Sequence, residues 1–193
     1  MGRPQAFDTT EAVRAARQVF WNQGYEEAAM PALEAATGLC RSSIYHAFGN
    51  KRGLFDAAVA SYLDEVVRPR LRPLLTAPVS PEAVGDYLRT LRAAIAGRTG
   101  AASADGCLLI NTAASTLAGD AAVKQVIADY RAELATALRS GIDARQPELS
   151  EAGAERLAQT CTALIIAAFT IARADPQGAI AYLDLATDAV EQR

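Results

Sequence analysis

The chain has 193 residues, 51% of them hydrophobic, 21% charged and 6% aromatic, with a net charge of −3. That is enough apolar chain for one or two small domains with a packed core. No run of eighteen apolar residues is present, and "MGRPQAFDTTEAV" holds no signal-peptide core, so neither a membrane partner nor export is expected and the cytoplasm is the expected compartment.

The apolar fraction leans on alanine and leucine with few β-branched runs, which favours helix over sheet. Asp8 of "DTTE" is an N-cap with Glu11 three positions on; Val13, Ala16 and Phe20 then repeat at helical spacing until Gly24 stops the first helix. A second runs from about Pro31 to Thr37, with Leu33 and Ala36 inward and Gly38 closing it. A third covers about Arg41 to Phe48. On its wheel Ile44, Ala47, Phe48 and Cys40 share one side, and Ser42 and His46 take the opposite pole. Ser43 and Tyr45 flank that pole, and Arg41 lies near the boundary. A fourth helix starts near Lys51, and Pro69 and Pro73 should kink or end it. Ser80 and Pro81 open a fifth, about 81–97, and "CLLINTAASTLA" reads as a short apolar sixth. Asp120, Ser150 and Asp175 cap a seventh, eighth and ninth, about 121–142, 151–173 and 176–191. No strand or repeat is found, so the expected fold is all-α with about nine helices.

Several chemistries are excluded. Cys40, Cys107 and Cys161 are far apart and odd in number, with no CxxC and a single histidine, so neither a disulfide framework nor a metal site is expected. No Gly-rich phosphate loop and no acid–base constellation appears, so no cofactor and no enzyme are expected. Residues 1–72 carry nine Lys/Arg and eight Asp/Glu, whereas 73–193 carry ten and fourteen. Any nucleic-acid contact is therefore expected in the first third, carried by the placement of charge rather than its total.

Three short helices, the last two joined by "TGLC", fit a helix-turn-helix with a supporting first helix. The second helix of such a unit enters the major groove. There Arg41 can read guanine and Ser42 is small enough for close approach, while Tyr45 and His46 reach backbone oxygens or a thymine methyl. Lys51 beside a helix N-terminus favours a phosphate, and Arg3 on a leading arm could enter the minor groove. The competing reading is a solvated helix in some other bundle, because "x-S-S-x-Y-H" alone is not diagnostic.

"GYEEAAMPALEAATGLCRSSIYHAFGNKRGLF" resembles the DNA-binding segment of the TetR family of bacterial transcriptional regulators. The resemblance rests on Gly24–Tyr25, Gly38–Leu39, Arg41–Ser42–Ser43, Ile44–Tyr45–His46, Phe48 and Lys51, and covers about residues 8–58. "GCLLINTA", residues 106–113, is similar to a stretch in the C-terminal domain of one branch of that family. Carried over, the DNA readers are Arg41, Ser42, Ser43, Tyr45, His46 and Lys51. The sequence departs at two caps, with Ala28–Ala29 before the second helix and Cys40 before the third, where the family favours Thr or Ser; each lost cap costs about 1 kcal/mol.

The eighth and ninth helices each carry two apolar faces: Leu157, Cys161, Leu164 and Ala168 against Ile165, Phe169 and Ala172, then Ile180, Leu183 and Val190 against Tyr182, Leu185 and Ala189. Two faces require burial on both sides, in a monomer core or against a second subunit. The resemblance implies a homodimer through helices 8 and 9, and a two-fold dimer implies a palindromic double-stranded DNA operator. It further implies a helix-turn-helix domain at 1–50 and a ligand-binding and dimerisation domain at 51–193. The small-molecule effector would lie among Tyr87, Leu91, Cys107, Asn111, Ser115 and Tyr130. The function so expected is a ligand-responsive repressor; the alternative is a helical small-molecule carrier or stress protein without a DNA role. Seventeen of the nineteen basic residues are arginine, which suggests a GC-rich bacterial genome.

Overall fold

The computed structural model describes residues 8–97 and 106–192. Among them every regular element is helical and no strand occurs, as expected. Packing divides the chain after Val66 into two units.

The first unit holds α1 (Thr9–Glu27), α2 (Met30–Thr37), α3 (Arg41–Phe48) and α4 (Lys51–Tyr62). Asp8 caps α1, accepting from the N–H of Thr10 at 2.8 Å and of Glu11 at 3.3 Å. Gly24, at φ 82° and ψ 168°, ends the regular helix where expected, and one further turn runs to Glu27; that backbone region favours glycine. Phe20 and Trp21 are buried against α4, where Phe20 meets Phe55 edge-on at 5.2 Å and Trp21 meets Tyr62 at 4.8 Å. Edge-on pairs add about 0.5–1.5 kcal/mol to the burial of their area. Asn50 caps α4 by accepting from the N–H of Gly53 at 2.9 Å. Gly53 is required by close approach, since a Cβ there would run into the carbonyl oxygen of Phe48.

Leu33 and Ile44 are buried as the wheels predict, but Ala36 and Ala47 are exposed, and so is Cys40. An eight-residue helix covers only a narrow strip, so α3 packs through Ile44 and half-buried Phe48. Cys40 precedes the helix in extended backbone, so the wheel never governed it.

The sequence boundary after residue 50 marks the end of the helix-turn-helix; the packing boundary lies at Val66. The reason is α4, whose Leu54, Phe55, Ala58 and Tyr62 complete the core. Arg14 and Arg17 also hold Glu65 at 2.8 and 3.1 Å, and Arg17 donates to the Ser61 hydroxyl at 2.8 Å. Up to Val66 the unit has six Lys/Arg and eight Asp/Glu. The slight positive balance of residues 1–72 therefore came from Arg68, Arg70 and Arg72, which belong to the second unit.

Leu63–Val67 forms a π-helical turn rather than a continuous fourth helix. Pro69 accounts for it: its ring would meet the carbonyl four residues back, at Glu65, and it returns no N–H. The irregularity expected at Pro69 and Pro73 is thus taken upstream. Pro69 sits in the first turn of α5 (Arg68–Leu75), and Pro73 lies inside that helix.

The second unit adds α6 (Ala83–Ile95), α7 (Leu108–Ala113), α8 (Ala121–Arg145), α9 (Glu151–Ile171) and α10 (Pro176–Glu191). The side chains of Asp120, Ser150 and Asp175 cap α8, α9 and α10 as the sequence indicates. Ser80 instead accepts from the N–H of Glu82 at 3.3 Å and closes a turn, so α6 starts two residues later than expected. The expected sixth helix breaks at Ser115, which caps a 3₁₀ turn, Thr116–Gly119. Arg92 pairs with Asp184 at 2.6 Å and Arg89 with Glu191 at 2.8 Å, tying α6 to α10.

α9 packs between α8 and α10. It is long and apolar enough to cross a membrane by length and composition alone, with a mean hydropathy of 1.2, yet only 39% of that stretch is buried. Cys161, Ile165, Ala168 and Phe169 are covered, while Leu157 and Leu164 are half-buried. On α10, Ile180, Leu183 and Val190 are buried, whereas Tyr182 and Leu185 are 37% and 55% exposed. On α10 one apolar face is covered by its own unit and the other stands open, whereas on α9 the two expected faces do not separate, since Cys161 and Ala168 of one are buried together with Ile165, Phe169 and Ala172 of the other.

Candidate nucleic-acid interface

α2 and α3 meet through Gly38, at φ 68°, and Leu39, which is half-buried. That turn leaves the polar side of α3 outward. Arg41, Ser42, Tyr45 and His46 are exposed, and Ser43 is half-buried. Arg3 lies outside the described residues.

The exposed side chains are ordered by one another. Arg41 Nε donates to the Tyr45 hydroxyl at 3.2 Å, and its guanidinium carbon stands 5.2 Å from the Tyr45 ring centroid. Cys40 Sγ lies 3.1 Å from Ser42 Oγ and 3.2 Å from Ser43 Oγ. The Ser42 hydroxyl bond, followed by that of Ser43, holds the Cys40 thiol down at about 7. A hydrogen bond to the thiolate favours the charged form, as any donor does for an anion. The two cap positions where the family favours Thr or Ser have no side-chain cap in the structure: the side chain of neither Ala29 nor Cys40 accepts a backbone N–H of the helix it precedes.

Lys51 opens α4 and is half-buried. Its Nζ donates to the Glu26 carbonyl at 3.3 Å and stands 4.6 Å from the Tyr25 ring centroid. Tyr25 was not among the sequence candidates. Its only sequence signal was the Gly24–Tyr25 pair, which carries no information on a partner 26 residues away.

Among the other cations described in the first unit, Arg14 and Arg17 are committed to Glu65, and Arg52 pairs with Asp56 at 2.8 Å. The positive charge that faces outward near α3 is therefore Arg41 and Lys51, beside His46. This is a short cationic edge interleaved with hydroxyls, on a unit of negative formal balance. Phosphates would meet it there and be repelled elsewhere.

In the second unit, three of the expected effector residues come together. Cys107 Sγ lies 3.7 Å from the Tyr130 hydroxyl, and both residues are buried. Burial first, then the neighbouring Cys107, pushes the Tyr87 phenol upward, so it stays protonated. Leu91 is buried, and Asn111, half-buried, has its Oδ1 3.5 Å from where a Cβ on Gly106 would sit. Ser115 is turned to backbone, donating to the Thr112 carbonyl at 2.8 Å while capping the 3₁₀ turn. A groove of about 460 Å³ opens between α5 and α6, lined by Pro69, Arg70, Pro73, Tyr87 and Thr90 among others. Of the six expected residues it includes Tyr87 alone. Among the described residues no group of three or more His, Cys, Asp or Glu side chains is placed to hold a metal ion.

Residues 12–58 match the family model described as bacterial regulatory proteins, tetR family. The chain is 34% identical over 120 residues to the HTH-type transcriptional repressor ComR of Escherichia coli K12, covering 62% of this chain and 55% of ComR. It is 42% identical over 64 residues to the uncharacterised HTH-type regulator YezE of Bacillus subtilis 168, covering 33% of each. The chain thus spans about half or less of these curated relatives. A solved structure of a cysteine mutant of the TetR family transcriptional regulator CifR, complexed with 26-base-pair operator DNA, is 30% identical. It superposes with a TM-score of 0.78 over 96% of this chain and 98% of that one. The reduced form of E. coli NemR has a TM-score of 0.76 at 14% identity, covering 94% of this chain and 93% of that one, a likeness of fold.

Proposed function

The chain belongs to the TetR family of bacterial transcriptional regulators, and on that premise we propose that it is a dimeric DNA-binding repressor released from a palindromic operator by a small molecule. The observation that carries this reading is the outward edge of α3: Arg41, Ser42, Tyr45 and His46 exposed on the second helix of the turn, with Lys51 beside it. Arg41 and Ser42 read bases; Ser43, Tyr45, His46 and Lys51 grip the phosphate backbone, and Arg3 enters the neighbouring minor groove. The CifR complex with operator DNA supports a DNA partner of this kind.

The open face of α10, with Tyr182 and Leu185 at its surface, supports a homodimer built from α9 and α10. A two-fold pair presents two copies of α3 to half-sites about one DNA turn apart. The buried Tyr87, Cys107 and Tyr130, with the adjoining groove, are the effector region of the second unit. A ligand acts there only by binding the DNA-free arrangement more tightly than the DNA-bound one. The protein works in the cytoplasm, takes no cofactor and catalyses no reaction.

The experiment is selection of duplexes from a random-sequence pool by the full-length protein, followed by gel shift across a salt series. A repressor enriches a palindrome and loses affinity steeply with salt. A small-molecule carrier enriches nothing.

A further inference from the structure

Lys51 is tethered on two sides. Its ammonium stands over the Tyr25 ring at 4.6 Å and donates to the Glu26 carbonyl at 3.3 Å. Both anchors exist because Gly24 turns the chain at the end of α1, setting the last turn against the start of α4. The ring is itself fixed from the core side: it stacks near-parallel on Phe20 with centroids 6.0 Å apart, and meets Phe55 at 5.2 Å and 68°. One part of Tyr25 is therefore packing and another is a platform for a cation.

A lysine that grips a phosphate ordinarily gives up the freedom of a long side chain at the moment of contact. Here much of that freedom is already removed, and the carbonyl uses one of three N–H donors. The remaining donors sit in the first turn of α4, where backbone N–H groups also favour an anion.

We propose that Tyr25 is a positioning residue for DNA binding: its ring face, with the Glu26 carbonyl, holds the Lys51 ammonium in place for a phosphate before DNA arrives. The proposal rests on the DNA-binding reading above. Tyr25 touches no phosphate itself and acts through Lys51. Arg41 over Tyr45 repeats the arrangement on α3, but Tyr45 is itself an expected DNA contact, so only Tyr25 separates positioning from touching.

The test uses the full-length protein, a duplex it selects from a random pool, and two readouts. The first needs no DNA: proton NMR of the free protein shows the Lys51 ε-methylene shifted upfield by the ring current of Tyr25. Tyr25→Leu abolishes that shift and Tyr25→Phe, which keeps the ring, retains it. An unshifted Lys51 in the wild type overturns the proposal whatever the DNA results. The second is a binding cycle. Tyr25→Leu lowers affinity about threefold to tenfold, in line with a cation–π contact. It also moves the salt slope toward that of Lys51→Ala, which is about 1.8 shallower than wild type, about 0.9 for each of the two copies on the operator; Tyr25→Phe restores both. Introduced into Lys51→Ala, Tyr25→Leu costs nothing further. An equal loss in both backgrounds means that Tyr25 serves the fold alone, and the proposal fails. If no duplex is enriched, the DNA reading fails and the positioning role fails with it, while the NMR shift still reports whether the tether exists.

Discussion

The two units use their polar side chains in opposite ways. In the second, charged groups are matched across helices, as in Arg92 with Asp184, Arg89 with Glu191, Arg68 with Glu133 and Arg145 with Glu82. In the first, Arg14 and Arg17 are matched in the same manner on Glu65, but α3 is not. Its two serine hydroxyls bond the Cys40 thiol and its guanidinium bonds the Tyr45 hydroxyl, and among the described residues no ion pair joins α3 to a carboxylate. Exposed ion pairs add little to stability, so the contrast lies in what is left available. The second unit pairs these charges across its own helices and leaves Tyr182 and Leu185 exposed; the first buries Phe20, Trp21, Phe55 and Tyr62 and leaves a hydrogen-bonding edge exposed. The function proposed above assigns the Tyr182 and Leu185 surface to self-association and the hydrogen-bonding edge to DNA.

That contrast breaks most completely at Leu185, which is 55% exposed on the open face of α10. Leu185→Glu should turn the proposed dimer into monomers in sedimentation and lower operator affinity by about 100-fold or more, the loss of two linked half-sites. A stable dimer retaining wild-type affinity would place the interface elsewhere. Next in size, Gly53→Ala forces a Cβ against the Phe48 carbonyl. A loss of about 1–3 kcal/mol is expected in urea melts. The sole tryptophan, Trp21, lies in the first unit, so its fluorescence should report the shift while the α8–α10 contribution to circular dichroism melts as before.

Arg41→Ala and Lys51→Ala split the reading edge itself. The first should relax sequence preference by about 1–3 kcal/mol at the contacted base. The second should weaken all duplexes alike and flatten the salt slope. Identical effects from both, in competition gel shifts, would remove the division between base reader and phosphate grip.

The cysteines compare the units without any partner. Alkylation requires thiolate, so its rate rises with pH and levels off above the thiol pKa. Exposed Cys40, held at about 7 by Ser42 and Ser43, should react half-maximally near pH 7. Burial pushes Cys161 up to about 11, so it should stay unmodified in the folded protein at that pH. Mass spectrometry after brief iodoacetamide treatment orders them, and Cys161 reacting first would contradict this environment for both. The smallest effect is Ala29→Ser, which supplies the missing cap of α2 and should add about 0.5–1 kcal/mol to the first unit.

What the sequence could reveal follows how local the cause is. Asp8, Asp120, Ser150 and Asp175 act within three residues, and each helix begins where its cap indicates. Ser80 shows the limit, because the same short-range bond can close a turn as readily as start a helix. Ser115 does the same inside an apolar run that periodicity alone joins into one helix. Pro69 was visible, but its effect appears four residues upstream as the π-turn, where no residue announces it. On α3 the exposure of Ser42 and His46 was legible from their spacing. The pairing of Lys51 with Tyr25 was not, since it depends on two helix ends brought together by the fold. Ala47 was misplaced because a wheel assumes a wide packing face that so short a helix lacks.

Hydroxyl-radical footprinting on a duplex selected by the full-length protein tests most directly that two copies of α3 enter successive major grooves. The expected result is two symmetric protected patches about one turn apart, both lost when Arg41, Ser42 and His46 are replaced together by alanine. A single patch, or protection that survives the triple replacement, would contradict it.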